Sequence, residues 1–255
     1  MIRLLGVELR RYAWRRSFRV FGLIAVGFIA VVATIVAFDS EPGVEGQRFQ
    51  LTTLTDIFGG TSIPLIILGL AFGASFIGAE WHAGTITPLL TWQPQRVLVF
   101  ASKALAVLLA VIASALAIQT ILGLALWLVA ALRGTTEGAD AAWLAETAGL
   151  AARGAIVAGL MAVLGFAIGS IARNTTVALI IGFVYFAIGE QVLRGFRPGW
   201  QPWLIGDNAA AFVIGDTQEM FGLFRSPSEA LLVVVLYCMV ALGVSTAWFQ
   251  ARDVN

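Results

Sequence analysis

The chain has 255 residues, of which 59% are hydrophobic and only 12% are charged, and its mean hydropathy is +0.90. Soluble domains carry about a quarter charged residues because their surface faces water. Composition therefore excludes a soluble globule, and the net charge of +1 argues against a nucleic-acid partner.

The first 19 residues predict a helix along the surface of the membrane. Apolar residues recur on one stripe, and the intervening arginines suit an anionic cytoplasmic leaflet. Trp14 and Phe18 fall off the stripe, so its amphipathicity is imperfect. The stripe consists of Ile2, Leu5, Leu9 and Tyr12.

Six apolar segments follow, each long enough to cross a bilayer at roughly 20 residues per span. They predict an all-α, polytopic membrane protein with six transmembrane helices in one domain, residues 1–255, with the six-span bundle at residues 20–249. The third segment is unusually long and favours one continuous helix, with a helical hairpin as the alternative. The segments are 20–38, 57–79, 97–132, 150–171, 176–193 and 230–249.

Arginine and lysine are distributed unevenly between the two sides of this topology. Cytoplasmic flanks hold the positive excess in membrane proteins. With the N-terminus inside, ten of the 16 basic residues are cytoplasmic, so both termini are expected in the cytoplasm. The eight tryptophans lie near predicted boundaries, as expected for membrane interfaces.

Small residues in two spans predict close helix packing. Gly69 and Gly73 in the second span, and Gly165 and Gly169 in the fourth, are spaced four apart. This spacing lets helix backbones approach each other in a membrane.

The sequence lacks the motifs of common enzymes and nucleotide-binding proteins. It has no phosphate-binding loop of the G-x-x-x-x-G-K-[ST] type. His82 is the single histidine, which disfavours a zinc site, and Cys238 is expected to be a buried, inert thiol. An embedded enzyme is therefore disfavoured, and no metal or catalytic residue is predicted.

The most distinctive stretch joins the second and third spans, from Gly78 to Lys103. An apolar span ends at Glu80, and Pro94 closes a short segment of mixed polarity before the next helix. This pattern predicts a short cytoplasmic helix at residues 84–94, with a simple turn between spans as the alternative.

The same stretch resembles the signature of the ABC type-2 permease family. The resemblance implies that residues 84–94 form a coupling helix that docks on an ATPase subunit. It also implies that Glu8, Arg10 and Arg11 belong to a cytoplasmic interface helix, residues 1–19, and that residues 194–228 form a pair of short outer helices. Trp81 and His82 depart from the pattern. The motif residues are Glu80, Gly84, Thr85, Leu89, Leu90, Pro94, Arg96 and Lys103.

The resemblance implies the transmembrane subunit of an ATP-driven exporter, not an enzyme. ATP and magnesium would be bound by a separate ABC ATPase subunit, and this chain would hold no cofactor. The expected assembly is a homodimer, or a heterodimer with a related permease, in the lipid of the cell membrane. Few charges lie within the spans, which favours an amphipathic drug, peptide or lipid as the substrate.

Glu190 is an ionisable residue inside the fifth predicted span. A carboxylate there is expected to face the bundle interior, a partner or a cavity. It is a candidate for the substrate path, with Trp200 and Trp203 in the following outer segment, or for a proton site. The i, i+4 spacing favours a boundary residue paired with Arg194, four positions on, over these roles.

Two other functions remain open at this point. A secondary transporter or channel would use Glu190 as its ion-coupling site, although the spans show no obvious pair of broken half-helices. A non-transporting membrane anchor for another protein is the third possibility.

Overall fold

The computed structural model describes residues 2–40, 48–85, 95–215 and 225–251, and helices dominate all four ranges. Short 3₁₀ helices cover Leu51–Thr53 and Pro198–Trp203, and a π-helical turn covers Tyr185–Gly189. We number the α-helices α1 (Ile2–Trp14), α2 (Arg16–Asp39), α3 (Leu54–His82), α4 (Arg96–Arg133), α5 (Ala141–Ala172), α6 (Thr175–Val184), α7 (Glu190–Phe196), α8 (Ile205–Ile214) and α9 (Pro227–Ala251).

Six helical stretches are long and apolar enough to cross a membrane, which confirms the all-α, six-span prediction. The third stretch is the uninterrupted helix α4 of 38 residues, as predicted in preference to a hairpin. At 1.5 Å per residue it is about 57 Å long, well beyond a hydrocarbon core of about 30 Å. The stretches are Phe18–Asp39, Leu51–His82, Arg96–Arg133, Ala141–Ala172, Thr175–Phe196 and Pro227–Ala251.

The glycine motif of α3 packs against α5, and the glycine motif of α5 packs against α3. A methyl group at Gly73 in α3 would overlap the carbonyl oxygen of Ala162 in α5, and one at Gly165 in α5 would overlap that of Leu70 in α3. Without side chains at these positions, the two backbones come into direct contact. Helix α5 is buried along most of its length and forms the centre of the bundle.

Helix α1 is shorter than the predicted 1–19 segment. The chain leaves helical geometry at Arg15, whose φ of −62° and ψ of 132° are extended, and α2 begins at the next residue. The Arg15 guanidinium hydrogen-bonds to the carbonyl oxygens of Ser75 and Phe76 in α3. The side chain is thus anchored in the bundle where the surface helix turns into the first span.

The bundle has two chemically different ends. At one end, Tyr12 of α1 packs near Phe76, while Phe249 of α9 packs against Trp81 and Phe100. This end gathers α1, the end of α3, the start of α4 and the end of α9, which are the elements that the charge distribution predicts to be cytoplasmic.

The opposite end carries the short helix α8. Helix α8 follows the 3₁₀ helix Pro198–Trp203 in the chain. Its buried face packs against α5 and α9. The resemblance implies a pair of short outer helices in 194–228. The described part of this segment holds the end of α7, the 3₁₀ helix and α8, and residues 216–224 lie outside the described ranges.

Candidate functional site

The first candidate site is an ion cluster that joins α1, α3 and α4. Lys103 is the single lysine of the chain and is only 2% exposed. Its Nζ lies 2.9 Å from Oε1 of Glu8 in α1 and 2.7 Å from Oε2 of Glu80 in α3. One ammonium group therefore links the predicted interface helix to the end of the second span.

Two arginines complete the ion cluster, which consists of Glu8, Arg11, Arg15, Glu80 and Lys103. Arg11 Nη1 lies 3.5 Å from Glu80 Oε1 and 3.8 Å from Glu8 Oε1. Arg15 Nη2 lies 3.5 Å from Glu80 Oε1, and its guanidinium stacks 4.5 Å from the centre of the Phe76 ring. Burial lowers the pKa of Arg15, and the charge of Glu80 opposes that shift.

The carboxylates of this cluster depend on their partners. Glu8 and Glu80 are 4% and 6% exposed. A buried charge that loses its partner costs several kcal/mol, because it can no longer be solvated by water. The cluster therefore keeps the ends of three helices in one arrangement.

Glu80 also lies where α3 ends and the predicted coupling segment begins. Gly84 adopts a left-handed φ of 65°, its amide donates to the carbonyl of Trp81, and the amide of Thr85 donates to the carbonyl of Glu80. These bonds form a Schellman motif, which ends a helix in a tight reversal. The Thr85 hydroxyl also donates to the Glu80 carbonyl, so it closes α3.

The remaining predicted coupling residues are only partly described. Leu89, Leu90 and Pro94 lie outside the described residues, and so does the body of the predicted helix 84–94. Arg96 is the first residue of α4. Arg10 is exposed on α1, while Glu8 and Arg11 enter the ion cluster.

Trp81, which departs from the family pattern, has a structural role next to the ion cluster. The guanidinium of Arg173 stacks on its ring at 4.2 Å, and Phe249 packs edge-on against it at 6.0 Å. Trp81 therefore connects α3 to the turn between α5 and α6 and to the end of α9.

The second candidate site is a cavity of about 640 Å³ between α3, the fifth span and α8, which we call the lateral cavity. Its walls are mostly apolar, and its charged residues gather where α7 meets α8. The residues of this polar end are Glu190, Gln191, Arg194 and Asp207.

The polar end is held together by bonds that differ from the sequence prediction. Arg194 donates to Asp207 and, at 2.8 Å, to Gln191 Oε1. Glu190 accepts from the backbone amide of Gly206 at 2.8 Å and hydrogen-bonds to Tyr185. The predicted pair of Glu190 with Arg194 is therefore wrong, because the guanidinium contacts Asp207 of α8, 13 residues further along the chain.

Trp200 and Trp203 do not line the lateral cavity with Glu190. Both rings are more than half exposed. The carbonyl of Trp203 accepts from the Tyr237 hydroxyl at 2.9 Å, and Arg225 lies 5.8 Å from its ring centre. The structure thus brings Glu190 together with Asp207 and not with these tryptophans.

Sequence analysis overlooked two residues of these sites. Arg15 lies seven positions after Glu8, and Asp207 is a lone acid in the apolar sequence of α8. The seven-residue spacing could have indicated that Arg15 lies on the same helix face as Glu8, and the isolated charge could have indicated a buried partner for Asp207. Among the described residues, no group of three or more potential metal ligands is placed to hold an ion.

Comparison with known families agrees with this architecture. A profile described as ABC-2 family transporter protein matches residues 11–189, more than half of the chain. The matched range contains Glu80, Lys103 and the first five spans up to the residue before Glu190. No curated protein sequence matches closely enough to add to this result. The chain belongs to the ABC-2 family of transporter proteins and is a membrane subunit of that family.

Proposed function

We propose that this permease subunit exports an amphipathic drug, peptide or lipid, driven by a separate ABC ATPase subunit that binds ATP and magnesium. The ATPase would dock on residues 84–94 and on α1. Two permease copies, or this chain and a related permease, would form the membrane part of the complex.

The observation that carries this proposal is the pair of contacts made by Lys103. A membrane subunit driven by a partner needs a contact surface that is mechanically tied to its spans. Glu8 lies on α1, and Glu80 lies four residues before Gly84, where the predicted coupling segment begins. A displacement of either element would therefore be transmitted to α3 and α4 through buried charges.

The lateral cavity is the proposed substrate path. Its apolar walls and polar end suit a molecule with both characters, since small-molecule sites combine apolar surface with a few placed polar groups. Because α3 lines the cavity and ends at His82, just after Glu80, it joins the proposed docking surface to the cavity wall. We place the ion-cluster end in the cytoplasm, as the distribution of basic residues predicts.

The proposal is tested by assembly and coupling with a candidate ABC ATPase subunit from the same organism. Leu89→Asp and Leu90→Asp are expected to insert normally but to lose co-purification with the ATPase and transport-coupled hydrolysis, because a charge would lie in an apolar docking contact. The readouts are pull-down and ATPase activity in lipid nanodiscs with candidate substrates.

A matched control places the same charge in the outer loop. Thr136→Asp, at an exposed position between α4 and α5, is expected to bind the ATPase like the unmodified chain. Normal ATPase binding and transport by both leucine variants would contradict the docking assignment.

A further inference from the structure

The lateral cavity has an unequal balance of charge at its polar end. Its charged lining residues, within the described part of the chain, are Glu190, Asp207 and Arg194. We propose that the cavity binds an amphipathic cation, with a protonated amine beside these two carboxylates and an apolar body between α3 and α6. This inference rests on the proposed export function and names the substrate class of its path.

The first argument is the surplus carboxylate. Glu190 and Asp207 are 3% and 2% exposed, and the single guanidinium of Arg194 serves both a carboxylate oxygen of Asp207 and the side-chain oxygen of Gln191. When both carboxylates are ionised, one guanidinium leaves one negative charge without a partner. At the edge of a bilayer such a charge is costly unless a counter-charge approaches it. An ammonium group in the cavity supplies that counter-charge.

The second argument is an unused hydrogen-bond acceptor. One oxygen of Asp207 contacts Arg194, but Oδ2 is buried and, like the neighbouring donor Arg194 Nε, has no hydrogen-bond partner among the residues that the structure describes. A buried acceptor without a donor costs about 1–3 kcal/mol. A protonated amine carries the missing N–H donor, whereas a carboxylate or phosphate group would bring another acceptor and a like charge.

The third argument concerns the apolar wall and its access. Ile63 and Ile67 of α3 and Phe183 of α6 line the cavity, yet each is more than half exposed at the surface of the chain. The mouth of the cavity therefore opens toward the apolar surroundings of the spans. A ligand with an apolar body can enter from the bilayer while its charged head reaches the polar end at α7 and α8.

Four fluorescent probes that share one apolar body test the assignment. Pyrenebutyltrimethylammonium and pyrenebutylamine are the cations, and pyrenebutanol is the neutral form. Binding to the full chain in nanodiscs is measured as saturable energy transfer from tryptophan to pyrene. Pyrenebutyrate provides the anionic comparison. We expect pyrenebutylamine to bind at least about tenfold more tightly than the alcohol, because both can donate a hydrogen bond but only the amine adds a charge pair, and we expect the anion to bind most weakly.

Isosteric neutral variants locate the effect at the two carboxylates. Glu190→Gln and Asp207→Asn keep an oxygen for Gly206 and Arg194 respectively, but each removes the surplus charge. Each is expected to reduce amine affinity about tenfold and leave alcohol affinity unchanged. Glu146→Gln, which neutralises an exposed acid of α5 away from the cavity, is the matched control and should change neither value. Melting temperatures confirm that the variants are folded.

Equal affinity for amine and alcohol, or unchanged amine affinity in both carboxylate variants, would overturn the assignment and favour a proton as the counter-charge. Absence of saturable transfer, together with crosslinking between copies of an Ile67→Cys variant, would assign the mouth to a second copy instead. The binding assay needs no ATPase, so it tests the cationic substrate class separately from the ATPase-driven export function. Coupled transport without amine preference contradicts only the substrate class, and amine binding without ATPase assembly contradicts only the proposed function.

Discussion

Lys103 Nζ lies 2.9 Å from Glu8 Oε1 across 95 residues of sequence. The same ammonium holds Glu80 at 2.7 Å, so α1 and α3 share one buried cation on α4. The buried ammonium therefore stabilises the arrangement of helices in which Glu8 and Glu80 both contact it. The end of the bundle that carries the predicted coupling residues is thereby tied together through a single side chain.

Removal of this ammonium is expected to destabilise the protein strongly. Lys103→Met keeps much of the side-chain volume. It leaves the buried carboxylates of Glu8 and Glu80 with only the longer contacts to Arg11 and Arg15. We expect a loss of about 3–5 kcal/mol in the free energy of unfolding, the range measured when one partner of a buried ion pair is removed. The measurement is thermal or denaturant unfolding in detergent micelles.

Two companion variants separate lost pairing from lost packing. Adding Glu8→Gln to Lys103→Met removes the carboxylate that would keep only the 3.8 Å contact to Arg11, while Glu80 keeps Arg11 and Arg15. This double variant should recover part of the lost stability. Arg10→Met, at an exposed position on α1, should change stability by less than about 0.5 kcal/mol. A double variant no more stable than Lys103→Met would show that the unpaired charge of Glu8 is not the cause.

The contact between α3 and α5 makes Gly73 sensitive to the smallest substitution. Gly73→Ala would drive a methyl group into the carbonyl oxygen of Ala162, so the helices must separate. We expect a destabilisation of about 1–3 kcal/mol, typical of overpacking, in the same unfolding assay. Gly27→Ala is the control, because nothing lies within 4 Å of the added methyl in α2. Equal effects of the two substitutions would contradict the close contact.

Gln119 is a buried polar residue whose replacement is expected to stabilise the bundle. It is 1% exposed, and neither its Oε1 nor its Nε2 has a hydrogen-bond partner among the described residues. Gln119→Met removes two unsatisfied groups and should raise the free energy of unfolding by about 1 kcal/mol. Gln250→Met, an exposed position on α9, is the comparison. A lower melting temperature for Gln119→Met would instead indicate a partner for this amide in the membrane.

The orientation proposed from the charge distribution is testable by thiol labelling. In a Cys238→Ala background, Glu137→Cys in the loop between α4 and α5 should react with an impermeant thiol reagent in intact cells. Arg10→Cys on α1 should react only after the membrane is opened. The reverse pattern of labelling would contradict a cytoplasmic N-terminus.

The positions of the six spans could be predicted because hydropathy is local. Each span needs about 20 apolar residues of its own, whatever surrounds it, and α4 could be recognised as continuous because no helix-breaking residue interrupts it. Gly84 could be assigned to a reversal for the same local reason, since its left-handed backbone conformation suits glycine. These features depend on neighbours in the sequence.

The partners of the charged residues were decided by the tertiary structure. The i, i+4 spacing predicted that Glu190 pairs with Arg194, yet Asp207 of α8 takes the guanidinium. Lys103 could be noted in the sequence, but its bonds to Glu8 and Glu80 depend on how three helices meet. Composition and periodicity determined that the chain forms six membrane-spanning helices. Only the packing of those helices decided which buried charges face each other, because an ion pair within a few ångströms depends on positions that sequence separation does not constrain.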